Sequence, residues 1–141
     1  MNQKNKRFFW LSFFFGLMGC QSKEELAFEQ YKINGEEIYL QQCANCHQAS
    51  GEGLKGVIPP LKDTDFLTPD RLDQVICLIK NGINEPLQVN GVTYTQAMPP
   101  HGSLQSLDIA AVSTYIYSKW GGMNRRITVM EVDSSLAHCR R

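Results

Sequence analysis

Apolar and polar positions fall into short periodic blocks along the chain. Phe8–Met18 is an almost unbroken apolar run of eleven residues, interrupted only by Ser12 and Gly16. It is too short to cross a bilayer as a helix, which takes ~20 residues. Ile38, Tyr39 and Leu40 predict a helix over about 35–43, with Gly35 and Tyr39 four apart on one face. Asn34-Gly35 also reads as a turn signal. Thr68-Pro69-Asp70 is a helix start, with a cap, a proline in the first turn and an acid at the positive end of the helix dipole. Leu72, Val75, Ile76 and Ile79 then share a face, and Gly82 is a natural stop. Cys77 lies about 100° from Ile76 and about 200° from Ile79, off that stripe and in need of other cover. Leu87-Gln88-Val89 and Val92-Thr93-Tyr94 alternate about Asn90-Gly91, which predicts a two-residue hairpin. Ile109, Val112, Tyr115 and Ile116 predict a helix from about Ser106 to Lys119, ending before Gly121-Gly122. Thr128-x-x-Glu131 is a capping box, and Val129, Val132, Leu136 and Cys139 recur behind it at helical spacing.

Lys4, Lys6 and Arg7 precede the apolar run, and small residues follow it. That is the order of a secretory signal peptide; a buried N-terminal helix or strand is the competing reading. The run closes on Leu17-Met18-Gly19-Cys20, which resembles the lipobox of bacterial lipoproteins. The resemblance implies that residues 1–19 are removed and that Cys20 is lipidated. The alternative is cleavage elsewhere, with Cys20 a free thiol. Loss of residues 1–19 leaves 11 basic against 14 acidic side chains, a net −3. Acyl chains contribute ~0.8 kcal/mol per buried methylene, so several on one cysteine anchor a protein firmly. Residues 20–33, with Lys23, Glu24, Glu25, Glu29 and Lys32, then read as a solvated, partly helical tether. The full chain of 141 residues is formally neutral, 43% apolar and 20% charged, which suits one globular domain. No basic field points to nucleic acid.

Export would place the five cysteines where disulfides persist. With Cys20 assigned to lipid, Cys43, Cys46, Cys77 and Cys139 remain. Cys43-Ala44-Asn45-Cys46-His47 has the attachment signature of c-type haem. Two intervening residues span about one helical turn, so both sulfurs and the following imidazole meet the same side of a porphyrin. His47 becomes the proximal iron ligand. A thioredoxin-like pair would want a βαβ pattern, which is absent, and a zinc site would want a second Cys/His pair, also absent. Met98, in Ala97-Met98-Pro99-Pro100, follows His47 by 51 residues and is the candidate sixth ligand. Its thioether would raise the reduction potential and close the iron. Met123, Met130 and His101 are weaker candidates. Cys77 and Cys139 are left to pair: a terminal helix folding back would bring Cys139 to the side of the 72–81 helix where Cys77 points. Two separate thiols are the alternative. A disulfide needs α-carbons within ~7 Å.

Taken in order, Gly35-x-x-x-Tyr39, Cys43-x-x-Cys46-His47, Gly51-x-Gly53, Pro59-Pro60-Leu61, Met98-Pro99, Tyr115-Ile116 and Trp120-Gly121 resemble the class I c-type cytochromes over about residues 34–123. The resemblance implies a mainly α, cytochrome c-like fold of four to five helices around one covalent haem c. The hairpin would precede the axial methionine, and an extra helix would lie in the C-terminal extension, residues 124–141. It implies that the helices over 35–43 and 106–119 cross at Gly35, and that the Pro59 carbonyl accepts the N–H of His47. The hairpin is also similar to insertions in cytochrome domains attached to bacterial dehydrogenases and reductases. Gly51, Gly53 and Gly56 form a loop with no strand before it and no Gly-Lys-Ser/Thr after it, so phosphate binding is not expected.

The expected function is electron carriage, without a small-molecule substrate, between redox protein partners on the periplasmic or outer face of a bacterial membrane. A haem enzyme or gas sensor with an open iron site is the first alternative. A fixed subunit through which electrons enter a larger oxidase, reductase or dehydrogenase is the second.

Overall fold

A computed structural model describes residues 22–139. The N-terminal basic and apolar stretches and Cys20 lie outside the described residues. Five α-helices and one two-stranded antiparallel sheet make up the domain: α1 (Lys23–Gln42), α2 (Ala44–His47), α3 (Leu72–Asn81), β1 (Leu87–Val89), β2 (Val92–Tyr94), α4 (Ser106–Lys119) and α5 (Val129–Ala137). A 3₁₀ turn, Pro69–Arg71, leads into α3. No helix among the described residues is long and apolar enough to cross a membrane.

Helix α1 begins far earlier than the apolar pattern predicts. Residues 23–33 of the expected tether, and the boundary expected at residues 33–34, fall inside it. The Ser22 hydroxyl caps its start, accepting from the Glu25 amide at 3.1 Å, and Glu24 and Glu25 occupy the positive first turn. The remaining support is tertiary. Tyr31 packs against the core, Arg126 lies over its ring at 5.2 Å, and the same guanidinium pairs with Glu24 at 3.0 and 3.2 Å. A helix without an apolar stripe in its first half thus extends its last-turn packing backwards along the body of the protein.

Helices α1 and α4 form the central crossing. Gly35 sits mid-helix in α1, not in a turn. A Cβ at Gly35 would stand 2.1 Å from the Ala111 carbonyl oxygen, so only a glycine lets the two backbones approach this closely. Tyr39, one turn on, is fully buried between Tyr115 and Trp120, with ring centroids 5.5 and 5.3 Å away. Gln105 and Asp108 form a reciprocal capping box at the start of α4. Ile109 to Tyr117 are then buried on every side, the pattern of a helix enclosed by neighbours rather than one on a surface.

The C-terminal extension folds back onto α3 and α4. Thr128 and Glu131 cap α5 reciprocally. Ile127 and Val132 are fully buried, each worth ~1.5–3 kcal/mol by its removal from water. The buried Thr114 hydroxyl donates to the Ala110 carbonyl and accepts from the Ile127 amide, which ties the extension to α4. Ser135 bonds Asp73 at 2.6 Å and ties it to α3. Cys77 and Cys139 are joined, with α-carbons 5.7 Å apart. Helix α5 is the cover for the side of α3 that carries Cys77.

Candidate functional site

The short helix α2 follows α1 after a bend at Cys43, whose amide still bonds the Tyr39 carbonyl at 2.9 Å. The Tyr39 hydroxyl donates to the Gln48 carbonyl at 2.6 Å and clamps the far end of the same turn. Its phenol pKa is raised, chiefly by burial. Cys43, Cys46 and His47 are thereby presented together at the C-terminal end of α1. Cys43 and Cys46 are not joined to each other. Burial, then the neighbouring Cys46, pushes the Cys43 thiol up to about 11.

The His47 ring points Nδ1 at the Pro59 carbonyl oxygen, 3.1 Å away. With Nδ1 protonated and donating, the lone pair of Nε2 is free for a metal. Burial lowers the pKa of His47, the Pro59 bond partly opposes this, and the charge of His101 lowers it further. The neutral imidazole, the form that ligates, is the favoured one.

Met98 arrives from the other end of the fold. Leu87 pairs with Tyr94, and Ile83 forms an isolated antiparallel bridge with Met98 in the same register. The hairpin ladder therefore resumes beyond β1 and β2. The Met98 amide donates to the Ile83 carbonyl at 2.9 Å, and the Ile83 amide returns the bond at 3.0 Å. Gly82, at φ 69°, makes room for this: a Cβ there would stand 2.4 Å from the Met98 carbonyl oxygen. At the tip, Asn90 and Gly91 both take positive φ, 52° and 73°, as a type I′ turn requires. Asn90 also latches the hairpin to the loop after Leu61. Its amide and side-chain oxygen exchange bonds with Asp65 at 2.7 and 2.8 Å, and its side-chain N–H donates to the Asp63 carbonyl at 2.9 Å.

These elements line a predominantly apolar cavity that opens to solvent. Cys43, Cys46, His47, Pro59 and Met98 all line it, with a wall of Leu61, Phe66, Leu67, Val75, Ile79 and Ile116. His101, Met123 and Met130 do not line it, and Met130 is 79% exposed on α5. The donor set is right for iron–porphyrin: two thiols one turn apart, an oriented imidazole and a thioether, around a cavity too apolar for a hydrated ion. No cluster of three or more His, Cys, Asp or Glu side chains suited to a bare metal ion occurs among the described residues. Three polar lining residues, Thr64, Glu85 and Gln96, had drawn no notice in the sequence. The period of two running from Leu87 back to Glu85 was the available signal.

Residues 32–116 match the family model described as cytochrome C oxidase, cbb3-type, subunit III. The chain belongs to this family of c-type cytochrome domains. It is a monohaem class I cytochrome with a mainly α cytochrome c-like fold, its cofactor is one covalently bound haem c, and its role is that of an electron carrier. Cytochrome c-552 of Thermus thermophilus is 33% identical over 93 residues, covering 64% of this chain and 70% of the relative. The cytochrome c subunit of a quinone alcohol dehydrogenase from Gluconacetobacter polyoxogenes is 29% identical over 90 residues, 63% of this chain and 19% of that protein. The cbb3-type cytochrome c oxidase subunit FixP of Bradyrhizobium diazoefficiens is 30% identical over 95 residues, 67% of this chain and 32% of that protein.

Proposed function

We propose that this cytochrome is a lipid-anchored electron-transfer protein with His47 and Met98 as axial ligands and Cys43 and Cys46 as the thioether attachments. One observation carries the ligation: His47 and Met98 reach one apolar cavity from separate elements, each with its backbone or ring fixed by hydrogen bonds. Haem c supplies a one-electron iron couple. The Pro59 carbonyl holds the His47 ring and increases its donor strength. The Ile83 bridge fixes the Met98 backbone beside the cavity, where its thioether would be the second side-chain ligand of the haem iron and would keep out water and small ligands. The apolar wall limits solvent access. An iron site closed in this way favours electron carriage over a haem enzyme or gas sensor.

Residues 1–19 are read as a lipoprotein signal, Cys20 as the lipidated residue, 20–33 as the membrane-proximal segment and 34–123 as the cytochrome domain proper. Residues 124–141 are read as its C-terminal extension, of which residues 124–139 are described. This places the protein on a bacterial membrane, facing the periplasm or exterior. A standing association with a larger redox complex is the second reading. The names of the dehydrogenase and oxidase relatives favour it.

The ligand assignment is tested on ferric holoprotein by its optical spectrum. A low-spin spectrum with the methionine-to-iron charge-transfer band is expected. Met98→Ala should lose that band, bind carbon monoxide once reduced with dithionite, and titrate at a lower potential. An unchanged spectrum in Met98→Ala removes Met98 as ligand. Mass analysis of the mature N-terminus tests lipidation of Cys20, and copurification from detergent-solubilised membranes separates a free carrier from a bound subunit.

A further inference from the structure

The face that the hairpin turns to the cavity carries one charge. Leu87 pairs with Tyr94 and Ile83 with Met98, and Glu85 and Gln96 lie in the bends between these two pairs. Ile83, Glu85, Leu87 and Val89 all line the cavity, Glu85 as an exposed residue. Among the described residues Glu85 is the only Asp, Glu, Lys or Arg in the lining. Among the described residues its carboxylate has neither an ion-pair partner nor a hydrogen-bond donor. The lysines that flank this region in sequence are turned elsewhere. Lys80 donates to the carbonyls of Gly102 and Leu104 at 2.9 and 2.8 Å, and Lys62 pairs with Glu52 at 3.7 Å.

We propose that Glu85 sets the reduction potential of this cytochrome, its uncompensated carboxylate stabilising the ferric over the ferrous state. Reduction adds one electron, delivered by the redox partner, to a cavity whose fixed side-chain charge is already negative. A unit charge on the order of 10 Å away, at an effective dielectric constant of about 20, changes such an equilibrium about tenfold. No lining cation offsets the effect, and solvent at the mouth only weakens it. Glu85 is held between the Ile83–Met98 bridge and β1, which keeps it in the cavity lining. The inference rests on the haem occupying this cavity and not on Met98 being its ligand.

The test is a spectroelectrochemical titration of holoprotein carrying Glu85→Gln, Glu85→Asp or, as a remote control, Glu25→Gln on α1. Glu85→Gln should raise the ferrous-to-ferric ratio several-fold at a fixed applied potential, where tenfold corresponds to ~59 mV for one electron. Glu85→Asp should stay close to the parent, and so should Glu25→Gln. The optical spectra of all three should match the parent, which separates a charge effect from a changed ligand. The proposal is overturned if Glu85→Gln titrates with the parent. It is equally overturned if Glu85→Asp shifts as far as Glu85→Gln, since that would be packing and not charge. A normal Glu85 shift in protein lacking the methionine band would defeat the Met98 assignment and leave this one standing.

Discussion

Replacing Gly35 by alanine strikes the contact on which the two central helices depend. The added Cβ would meet the Ala111 carbonyl oxygen at 2.1 Å, the Ala111 carbonyl carbon at 2.6 Å and the Tyr115 Cβ at 2.8 Å. None of the three is the free end of a flexible side chain. Two are backbone atoms of α4, whose residues 109–117 are buried and cannot yield one at a time. Reaching an ordinary 3.4 Å contact therefore requires α1 and α4 to part by about 1.3 Å. A gap of 0.5–1 Å already forfeits about a quarter to a half of a dispersion well, and Tyr39, Tyr115 and Trp120 would all lose contact across it. We place the cost at the top of the overpacking range, about 3 kcal/mol. Alanine recovers about 1 kcal/mol of helix propensity over glycine. The net loss is about 2 kcal/mol, or about 10 °C in Tm for a domain of this size. Thermal and urea unfolding of the ferric holoprotein, followed by far-ultraviolet circular dichroism, measures it. Gly102→Ala is the matched control, because nothing lies within 4 Å of a Cβ there and its φ is not positive. A Gly35→Ala protein as stable as the parent would refute the close-approach argument.

Asn90→Ala removes two side-chain hydrogen bonds and a residue suited to positive φ, so we expect a loss of about 1–3 kcal/mol and faster displacement of Met98 by added imidazole. Unchanged imidazole binding would show that the hairpin tip does not hold the ligand loop. Cys77→Ser with Cys139→Ser opens a link between residues 62 apart, for which chain entropy gives an upper bound of about 4 kcal/mol. Intact-mass analysis with and without reductant should first show the bond, and two free thiols in the purified holoprotein would end that prediction. Arg126→Ala should cost less than about 1 kcal/mol, because Glu24 is 71% exposed and surface pairs contribute little. A larger loss in equilibrium unfolding would show that the extended α1 depends on that pair.

Much of this protein was legible from local chemistry. The spacing within Cys43-Ala44-Asn45-Cys46-His47 is itself the geometry of one helical turn. Asn90-Gly91 names its turn because few other residues tolerate positive φ at both positions. The Thr128–Glu131 box closes within four residues, and the start of α5 needs nothing further. The length of α1 was not legible. Residues 23–34 lack an apolar stripe, and the contacts that meet their helix, Tyr31 on the core and Arg126 over its ring, come from segments about a hundred residues apart in sequence. The polar lining of the cavity was hidden for a related reason. Glu85 is exposed and looks like any surface carboxylate until the Ile83–Met98 bridge brings its segment to the cavity lining.

The sequence by itself determined which residues can bond a porphyrin and where helices and the hairpin begin, since those depend on neighbours a few residues apart. Only the tertiary structure decided how far α1 runs, what covers Cys77 and which hairpin face meets the cavity. Those outcomes depend on contacts between distant segments, and such contacts have free energy only once the chain has folded around them.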